Sequence, residues 1–314
     1  MKKLFVTGGC GYVGSLMIDK FLSTYQIKNI DTQWFGNNLK NHKNLVNIKE
    51  DIRNLKSEFI EKDTYAVLHL ANIANDPSVE LDQALSWEVN VLAAKNLIEQ
   101  SIKLGVKKFI YASSGSVYGV KSEDKVTEDL DLVPISAYNK TKMICERLLM
   151  SYNDQIEVLI VRPATVCGLS PRMRFDVSVN LLTLQALKNK VITILGGNQT
   201  RPNIHINDMI GVYEYFIEND IKPGIYNAGF ENTSILNLGK KIQEKVNCEL
   251  RIEESNDPRS YRQCSDKLLN TGFIKKYSIE DAINEIVELY NSGNLIEDDS
   301  CYTVKWMKKE VLNG

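Results

Sequence analysis

Short apolar runs alternate with helix-length amphipathic segments through the first half of the chain. The apolar runs that predict strands cover residues 4–6, the segment ending at 30–31, and residues 45–48, 66–70, 108–112 and 158–161. Between them, apolar spacings of three and four predict helices at residues 15–22, 82–104 and 137–152. Strands that alternate with helices of this length indicate an α/β fold with a doubly wound, Rossmann-type parallel sheet.

The rhythm changes after residues 162–163. Helices are predicted at residues 175–189, 207–218, 235–246 and 278–290, and short strands at 192–195, 203–206, 224–227 and 249–252. We therefore expect a dinucleotide-binding domain of residues 1–166 and 200–228, and a smaller C-terminal α/β domain of residues 167–199 and 229–314 that binds substrate. The tail from residue 291 is polar but ends with Trp306 and Met307, which we expect to pack on the body or on a partner.

A glycine-rich turn joins the first strand to the first helix at residues 7–14. Gly8 suits a tight turn, Gly11 lets the backbone approach a diphosphate, and Gly14 lets the helix pack closely on the strand. The free N–H groups at the helix start attract phosphate. Asp31, at the end of the second strand, is placed to accept from ribose hydroxyls and to disfavour a 2′-phosphate, which predicts NAD over NADP.

Composition excludes several other classes of protein. The chain has 314 residues, of which 43% are hydrophobic and 25% charged, with a formal net charge of −2. No basic patch indicates nucleic-acid binding, and no apolar window has the length of a membrane span or a signal peptide. The six cysteines are scattered without metal-ligand spacing, so we expect reduced thiols, no metal site and a cytoplasmic location.

Three polar side chains are candidates for proton transfer. Tyr138 and Lys142 lie four residues apart on a predicted helix and therefore share a face. An ammonium group beside a phenol favours the phenolate, so we expect Lys142 to lower the pKa of Tyr138 and make it a base. Ser114 follows the fifth strand, where a hydroxyl can bind the same substrate oxygen. Each feature alone also has an ordinary structural explanation, as an exposed pair or a turn serine.

These motifs together resemble the extended short-chain dehydrogenases/reductases, in the branch of nucleotide-sugar epimerases, dehydratases and dehydrogenases. The resemblance covers about residues 2–290 and includes segments 51–52, 69–71, 162–168, 201–208 and 257–259. It implies Ser114, Tyr138 and Lys142 as catalytic residues and a homodimer formed through helices 82–104 and 137–152. It implies NAD binding by Gly8, Gly11, Tyr12, Val13, Gly14, Asp31, Asp51, Ile52, Leu70, Ala71, Tyr138 and Lys142. It implies binding of a nucleoside-diphosphate sugar by Ser114, Ser116, Thr165, Asn180, Arg201 and Arg259, with Arg172 and Arg174 as further candidates for the diphosphate.

Departures from the family pattern narrow the reaction. Dehydratases of this family carry an Asp-Glu pair after the catalytic hydroxyl residue, where this chain has Gly115 and Ser116. Neither residue is a general acid or base, which argues against dehydration. The resemblance then favours oxidation at carbon 4 of a GDP-heptose in bacterial surface-polysaccharide synthesis, by a 4-dehydrogenase. A nucleotide-sugar 4-epimerase is the alternative, and a non-catalytic NAD-binding sensor is the alternative from another class.

Overall fold

A parallel sheet of seven strands forms the centre of the part of the chain that the computed structural model describes, residues 1–255 and 260–311. The strands in chain order are β1 Lys3–Thr7, β2 Gln26–Asp31, β3 Leu45–Lys49, β4 Thr64–His69, β5 Lys108–Ala112, β6 Glu157–Pro163, β7 Thr165–Cys167, β8 Val191–Leu195, β9 Thr200–His205, β10 Gly224–Ala228, β11 Glu231–Ser234 and β12 Glu249–Glu253. The large sheet has the order β10-β6-β5-β4-β1-β2-β3. The strand order reverses between β1 and β4, and ligands of such sheets bind beyond the carboxyl ends of the strands at this point.

Helices cover both faces of the large sheet, which confirms the predicted doubly wound fold. They are α1 Tyr12–Phe21, α2 Asp76–Val79, α3 Gln83–Trp87, α4 Ala93–Lys103, α5 Ala137–Met150, α6 Ser178–Asn189, α7 Ile206–Glu218, α8 Ile235–Lys245, α9 Asp266–Leu269, α10 Ile279–Asn291 and α11 Thr303–Trp306. Apolar side chains of α1 and α7 pack in one core cluster with one side of the sheet strands, and those of α4 and α5 pack in a second. The predicted helix 82–104 is a continuous path in which a wider π-turn, Glu88–Leu92, joins α3 to α4.

The remaining strands pair outside the large sheet. β7, β9 and β11 form a three-stranded sheet, and β8 pairs with β12. Helices α6, α8 and α10 enclose a third apolar core with these short strands. Within the described residues, no helix combines the length and the apolar character that crossing a membrane requires.

The C-terminal tail returns to the body of the protein. The predicted helix 278–290 is present as α10, but it is not the last helix as predicted, because α11 and a π-turn, Met307–Val311, follow it. Met307 is 2% exposed, and the indole Nε1 of Trp306 donates to the carbonyl oxygen of Trp34 at 2.5 Å. The two apolar residues in the polar tail therefore pack on this chain.

Candidate functional site

One cavity of about 570 Å³ lies beyond the carboxyl ends of the central strands. It is lined by the glycine-rich turn, by the segments that follow β2, β4, β5 and β7, and by the first residues of α5. Of the residues implicated by sequence, the structure brings eighteen together here: Gly8, Gly11, Tyr12, Val13, Gly14, Asp31, Asp51, Ile52, Leu70, Ala71, Ser114, Ser116, Tyr138, Lys142, Thr165, Arg172, Arg174 and Arg201.

The glycine-rich turn forms a cradle that side chains would fill. Gly8 has a φ of +78°, and a Cβ there would lie 2.5 Å from the backbone nitrogen of Ala71. A Cβ on Gly14 would lie 2.5 Å from the carbonyl oxygen of Gly8. Gly11 caps α1 without a side-chain hydrogen bond, so the first N–H groups of the helix remain available to a ligand. This backbone fits the diphosphate of a dinucleotide.

Two carboxylates line the part of the cavity beyond β2 and β3. Asp31 accepts hydrogen bonds from the backbone N–H groups of Cys10 at 2.9 Å and Gln33 at 2.7 Å. Burial raises the pKa of the Asp31 carboxyl, and these two backbone hydrogen bonds partly oppose the increase. Asp51 forms an ion pair with Arg53 at 2.9 Å. The position of Asp31 fits the ribose contact predicted from the sequence, and Asp51 is one of the residues that the resemblance assigns to NAD.

Ser114, Tyr138 and Lys142 meet at the edge of β5. The Ser114 hydroxyl lies 2.8 Å from the hydroxyl of Ser116 and accepts from its backbone N–H at 3.2 Å. The Lys142 ammonium donates to the carbonyl oxygen of Ala112 at 2.6 Å and lies 5.8 Å from the centroid of the Tyr138 ring. A hydroxyl, a phenol and an ammonium group therefore share one wall of the cavity.

The prediction that Lys142 lowers the pKa of Tyr138 is wrong for this arrangement. Burial raises the pKa of the Tyr138 phenol to about 12, against smaller lowering effects of a hydrogen bond with Ser114 and the charge of Arg174. Burial also lowers the pKa of the Lys142 ammonium to about 8. The sequence spacing alone could not reveal this outcome, because it depends on how deeply both groups are enclosed.

A buried polar network supports residues 113–119, here called the serine loop, and the sequence reasoning did not identify this network. Glu146 and Arg162 form an ion pair at 2.7 Å, with side chains 1% and 3% exposed. The hydroxyl of Ser113 donates to the same carboxylate, and Arg162 also donates to the Tyr118 hydroxyl at 2.7 Å. Glu146 follows Lys142 by four residues on one helix face, which is the sequence signal that would have found it.

The π-turn before α4 positions a second supporting side chain. Asn90, within this turn, accepts from the backbone N–H of Ile73 at 2.8 Å and donates to its carbonyl oxygen at 3.1 Å. It also donates to the hydroxyl of Thr141 at 3.2 Å. Asn90 therefore ties the segment after β4 to the helix that carries Tyr138 and Lys142.

Two side-chain ends lie against Gly115, the first position of the Asp-Glu pair in the family's dehydratases. A Cβ on Gly115 would lie 2.8 Å from Oε1 of Gln263 and 3.1 Å from the hydroxyl of Tyr261. Gln263 is buried and donates to the carbonyl oxygen of Arg162 at 2.6 Å, which holds its amide in place. Neighbouring side chains therefore occupy the space that an acidic residue at position 115 would need.

Asn180 does not lie where the resemblance implied. Its amide is fully buried and does not line the cavity; it accepts from the backbone N–H of Gly168 at 3.1 Å and donates to the Tyr12 hydroxyl at 3.0 Å. It also donates to the carbonyl oxygens of Arg174 at 2.9 Å and Gly168 at 3.4 Å. Asn180 thus organises the cavity wall, and its role as a substrate contact is corrected to a structural one. Arg259 lies outside the described residues.

Arg174 is one of the cationic residues that line the cavity. It forms an ion pair with Asp176 at 2.8 Å, and its charge acts on the pKa of Tyr138. Thr165 and Arg201 line the same cavity from β7 and β9. Arg174, Thr165 and Arg201 thus give the cavity two guanidinium groups and one hydroxyl, which suit an anionic substrate.

Comparisons with known proteins agree with this geometry. A putative UDP-glucose 4-epimerase of Methanocaldococcus jannaschii is 27% identical over 93% of this chain and 99% of its own length. The structure of a UDP-N-acetylglucosamine 4-epimerase from Methanobrevibacter ruminantium superposes with a TM-score of 0.85 at 25% identity, covering 93% of this chain and 99% of that one. A UDP-glucuronic acid 4-epimerase from Bacillus cereus, solved with UDP-glucuronic acid and NAD, gives 0.78 at 27% identity, covering 92% and 100%. The model of the NAD dependent epimerase/dehydratase family matches residues 4–229, and the chain belongs to this family of NAD-dependent nucleotide-sugar enzymes.

Proposed function

We propose that this protein oxidises carbon 4 of a nucleoside-diphosphate sugar and releases the 4-keto sugar, as a nucleotide-sugar 4-dehydrogenase. The observation that carries the proposal is the convergence of Ser114, Tyr138 and Lys142 on a cavity where Gly115 and Ser116 supply no acid or base for dehydration. Oxidation at carbon 4 needs one proton acceptor and one hydride acceptor, and it needs no further acid or base.

The side chains have separate tasks in this reaction. Ser114 binds and orients the reacting hydroxyl, and the Tyr138 phenolate takes its proton. Burial raises the pKa of Tyr138, whereas its hydrogen bond with Ser114 and the charge of Arg174 act against this increase, so we assign the stabilisation of the phenolate to these two groups. Lys142, on the same helix face as Tyr138, is assigned to NAD. NAD, when bound, supplies the hydride acceptor. Asp31 and Asp51 would hold its adenosine, and the turn with Gly8 and Gly14 its diphosphate.

The fate of the 4-keto sugar, which is either released or reduced again, separates the two candidate enzyme functions. The resemblance of residues 7–14 and 31–36 to enzymes of bacterial surface-polysaccharide pathways favours a GDP-heptose 4-dehydrogenase, working in the cytoplasm. A 4-epimerase is the second candidate, because several similar proteins carry this name. A non-catalytic sensor is disfavoured, since the chain retains Ser114, Tyr138 and Lys142 around the cavity.

A substrate panel distinguishes these outcomes. GDP-, UDP- and dTDP-sugars, heptoses included, are incubated with the purified protein while NADH absorbance and the NMR spectrum of the sugar are followed. A 4-keto product, formed with NADH or with turnover sustained by a 2-oxo acid as oxidant, supports the dehydrogenase. Inversion at carbon 4 without net NADH identifies the epimerase. No change in any sugar contradicts both.

Replacement of Tyr138 tests the chemical step itself. We expect Tyr138→Phe to bind NAD as the wild type does and to lose roughly 100- to 10,000-fold in turnover, because the proton acceptor is removed. Tyr152→Phe, just after the end of α5, is the matched control, since the Tyr152 hydroxyl contacts Glu99 away from the cavity. Turnover of Tyr138→Phe near the wild-type rate would refute the assignment.

We also propose a homodimer formed through α4 and α5 and the π-turn before α4. Leu92 in the π-turn is 61% exposed, and Ile144 on α5 is 37% exposed. Large apolar side chains on the surfaces of two adjacent helices are suited to burial in a four-helix contact between two copies.

A further inference from the structure

The C-terminal segment of residues 303–311, here called the strap, contacts three different walls of the cavity. Trp306 donates to the carbonyl oxygen of Trp34 in the segment after β2, and α11 packs against α2, which follows β4. Thr303 contacts the segment after β7 twice: its hydroxyl accepts from Arg172 at 3.2 Å, and its backbone N–H donates to Asp176 at 3.0 Å. The strap therefore joins segments that are far apart in sequence, and it lies over the cavity they enclose.

Two side chains of the strap face into this cavity. Thr303 and Met307 both belong to its lining, and both are almost completely buried, at 5% and 2% exposure. A tail that merely covered the protein surface would leave its contacts exposed on one side. These two side chains instead form part of the wall that a bound dinucleotide would meet.

Arg172, which the strap contacts, is a buried cation that forms no ion pair with a carboxylate of the described residues. It is 5% exposed, its guanidinium lies 4.1 Å above the ring of Phe35, and its Nε has no hydrogen-bond partner among the described residues. The closest acidic candidate on the same loop, Asp176, is already bound by Arg174 and by the backbone of Thr303. A buried charge of this kind is costly unless an anion enters to pair with it.

The backbone of Arg172 is fixed beside the phosphate-binding turn. Its N–H donates to the hydroxyl of Ser15 at 3.3 Å, and Ser15 lies in the first turn of α1, immediately after Gly14. The buried guanidinium and the free N–H groups at the start of α1 therefore line the same cavity from neighbouring positions. An anion that is held by the start of α1 would be attracted by the positive charge of Arg172. This chain belongs to an NAD-dependent family, so the diphosphate of NAD is the anion we consider.

We propose that the strap and Arg172 form a clasp on bound NAD: Arg172 neutralises its diphosphate, and residues 303–311 close the cavity over it. This assigns Arg172 to the cofactor, although the sequence suggested it as a contact of the substrate diphosphate. It also gives the C-terminal tail a binding role that no motif indicated. The inference needs only NAD binding and is independent of the sugar chemistry proposed above.

Replacement of Arg172 tests the charge. We expect Arg172→Met to weaken NAD binding by roughly tenfold or more in calorimetric titration, because a charge-assisted contact is lost. The NAD-free variant should melt no lower than NAD-free wild type, since an uncompensated buried cation has been removed. A residue with only a structural role would behave in the opposite way, with a lower melting temperature and unchanged affinity, and that result would overturn the proposal. Arg147→Met, at an exposed arginine of α5, controls for the change in net charge.

Shortening the chain tests the strap. A protein that ends at residue 302 should release NAD at least about tenfold faster than wild type in a stopped-flow displacement experiment, because the cavity is left open. Trp306→Phe removes only the hydrogen bond to Trp34 and should accelerate release roughly fivefold, the equivalent of one net hydrogen bond. Ile296→Ala, at a 75% exposed position outside the strap, should leave release unchanged.

The shortened protein decides the outcome if it folds, as judged by its circular dichroism. Release of NAD at the wild-type rate would then overturn the role of the strap. If the shortened protein does not fold, Trp306→Phe decides in its place, and wild-type release by that variant overturns the role.

Discussion

Replacement of Glu146 by glutamine tests whether the buried network beneath the serine loop holds the catalytic hydroxyl in place. Glu146 receives hydrogen bonds from Arg162 at 2.7, 3.0 and 3.2 Å and a further one from Ser113. The amide that replaces the carboxylate is neutral, and its N–H groups are donors that face the donor groups of Arg162 and Ser113. Arg162, 3% exposed, would therefore keep its charge in a site without an anion.

The magnitude follows from the burial of the pair. Removal of one partner of a buried ion pair typically costs about 3–5 kcal/mol of unfolding free energy, because the remaining charge is left desolvated. A domain of this size responds with about 2 °C of melting temperature per kcal/mol, so Glu146→Gln should melt about 6–10 °C lower. Ser113 directly precedes Ser114, and a small displacement of that hydroxyl should lower turnover by up to roughly 100-fold.

Calorimetry and steady-state kinetics measure the two effects separately. Glu99→Gln is the matched control, since Glu99 pairs with Lys95 at 2.7 Å in an exposed pair worth less than about 1 kcal/mol. We expect the control to melt within about 2 °C of wild type with unchanged turnover. If Glu146→Gln melts no lower than Glu99→Gln, the network does not carry the stability that its geometry implies, and the reasoning fails.

Two further predictions concern α5 and its surroundings. The pKa of Lys142 falls from 10.5 in the unfolded chain to about 8 in the folded protein. Between these two pH values only the unfolded state keeps the proton. The contribution of Lys142 to stability therefore rises with pH. Urea titrations should therefore show that Lys142→Met is more stable than wild type by about 2 kcal/mol at pH 7, a figure that already allows for the lost hydrogen bond to Ala112. This difference in stability should shrink towards pH 10. A difference that does not change with pH would contradict the assignment. If α4 and α5 form the dimer contact, Leu92→Asp should be monomeric by light scattering at micromolar concentration, whereas Leu195→Asp, at another exposed leucine, should remain dimeric; a monomeric wild type would exclude the dimer.

The sequence predicted the parts of the molecule that depend on local patterns. The strands of the large sheet, the glycine-rich turn and the pairing of Tyr138 with Lys142 all follow from periodicity and spacing within a few residues. The meeting of Ser114 with this pair follows from topology, because the carboxyl ends of neighbouring parallel strands lie at one edge. The domain boundaries and the roles of individual site residues stay predictions.

The features that the sequence did not predict depend on contacts between distant segments. Trp306 meets Trp34 across most of the chain, and no local pattern specifies that contact. The resemblance implied that Asn180 contacts substrate, but its amide is already engaged in hydrogen bonds with Tyr12 and with the turn after β7. The high pKa of Tyr138 results from enclosure by the whole fold rather than from the neighbour one helical turn away.

The π-turn at Glu88–Leu92 also sets the rotational phase of the helix that contains it. A regular α-helix advances by about 100° per residue, and a wider turn accommodates one residue more than the regular path. A deletion of one residue here would give a regular helix but would rotate everything on one side of it by about 100° relative to the other side. Either Asn90 would leave Ile73 and Thr141, or the apolar face of α4 would leave the sheet. The length of this segment, and not only its composition, is therefore constrained by the active site.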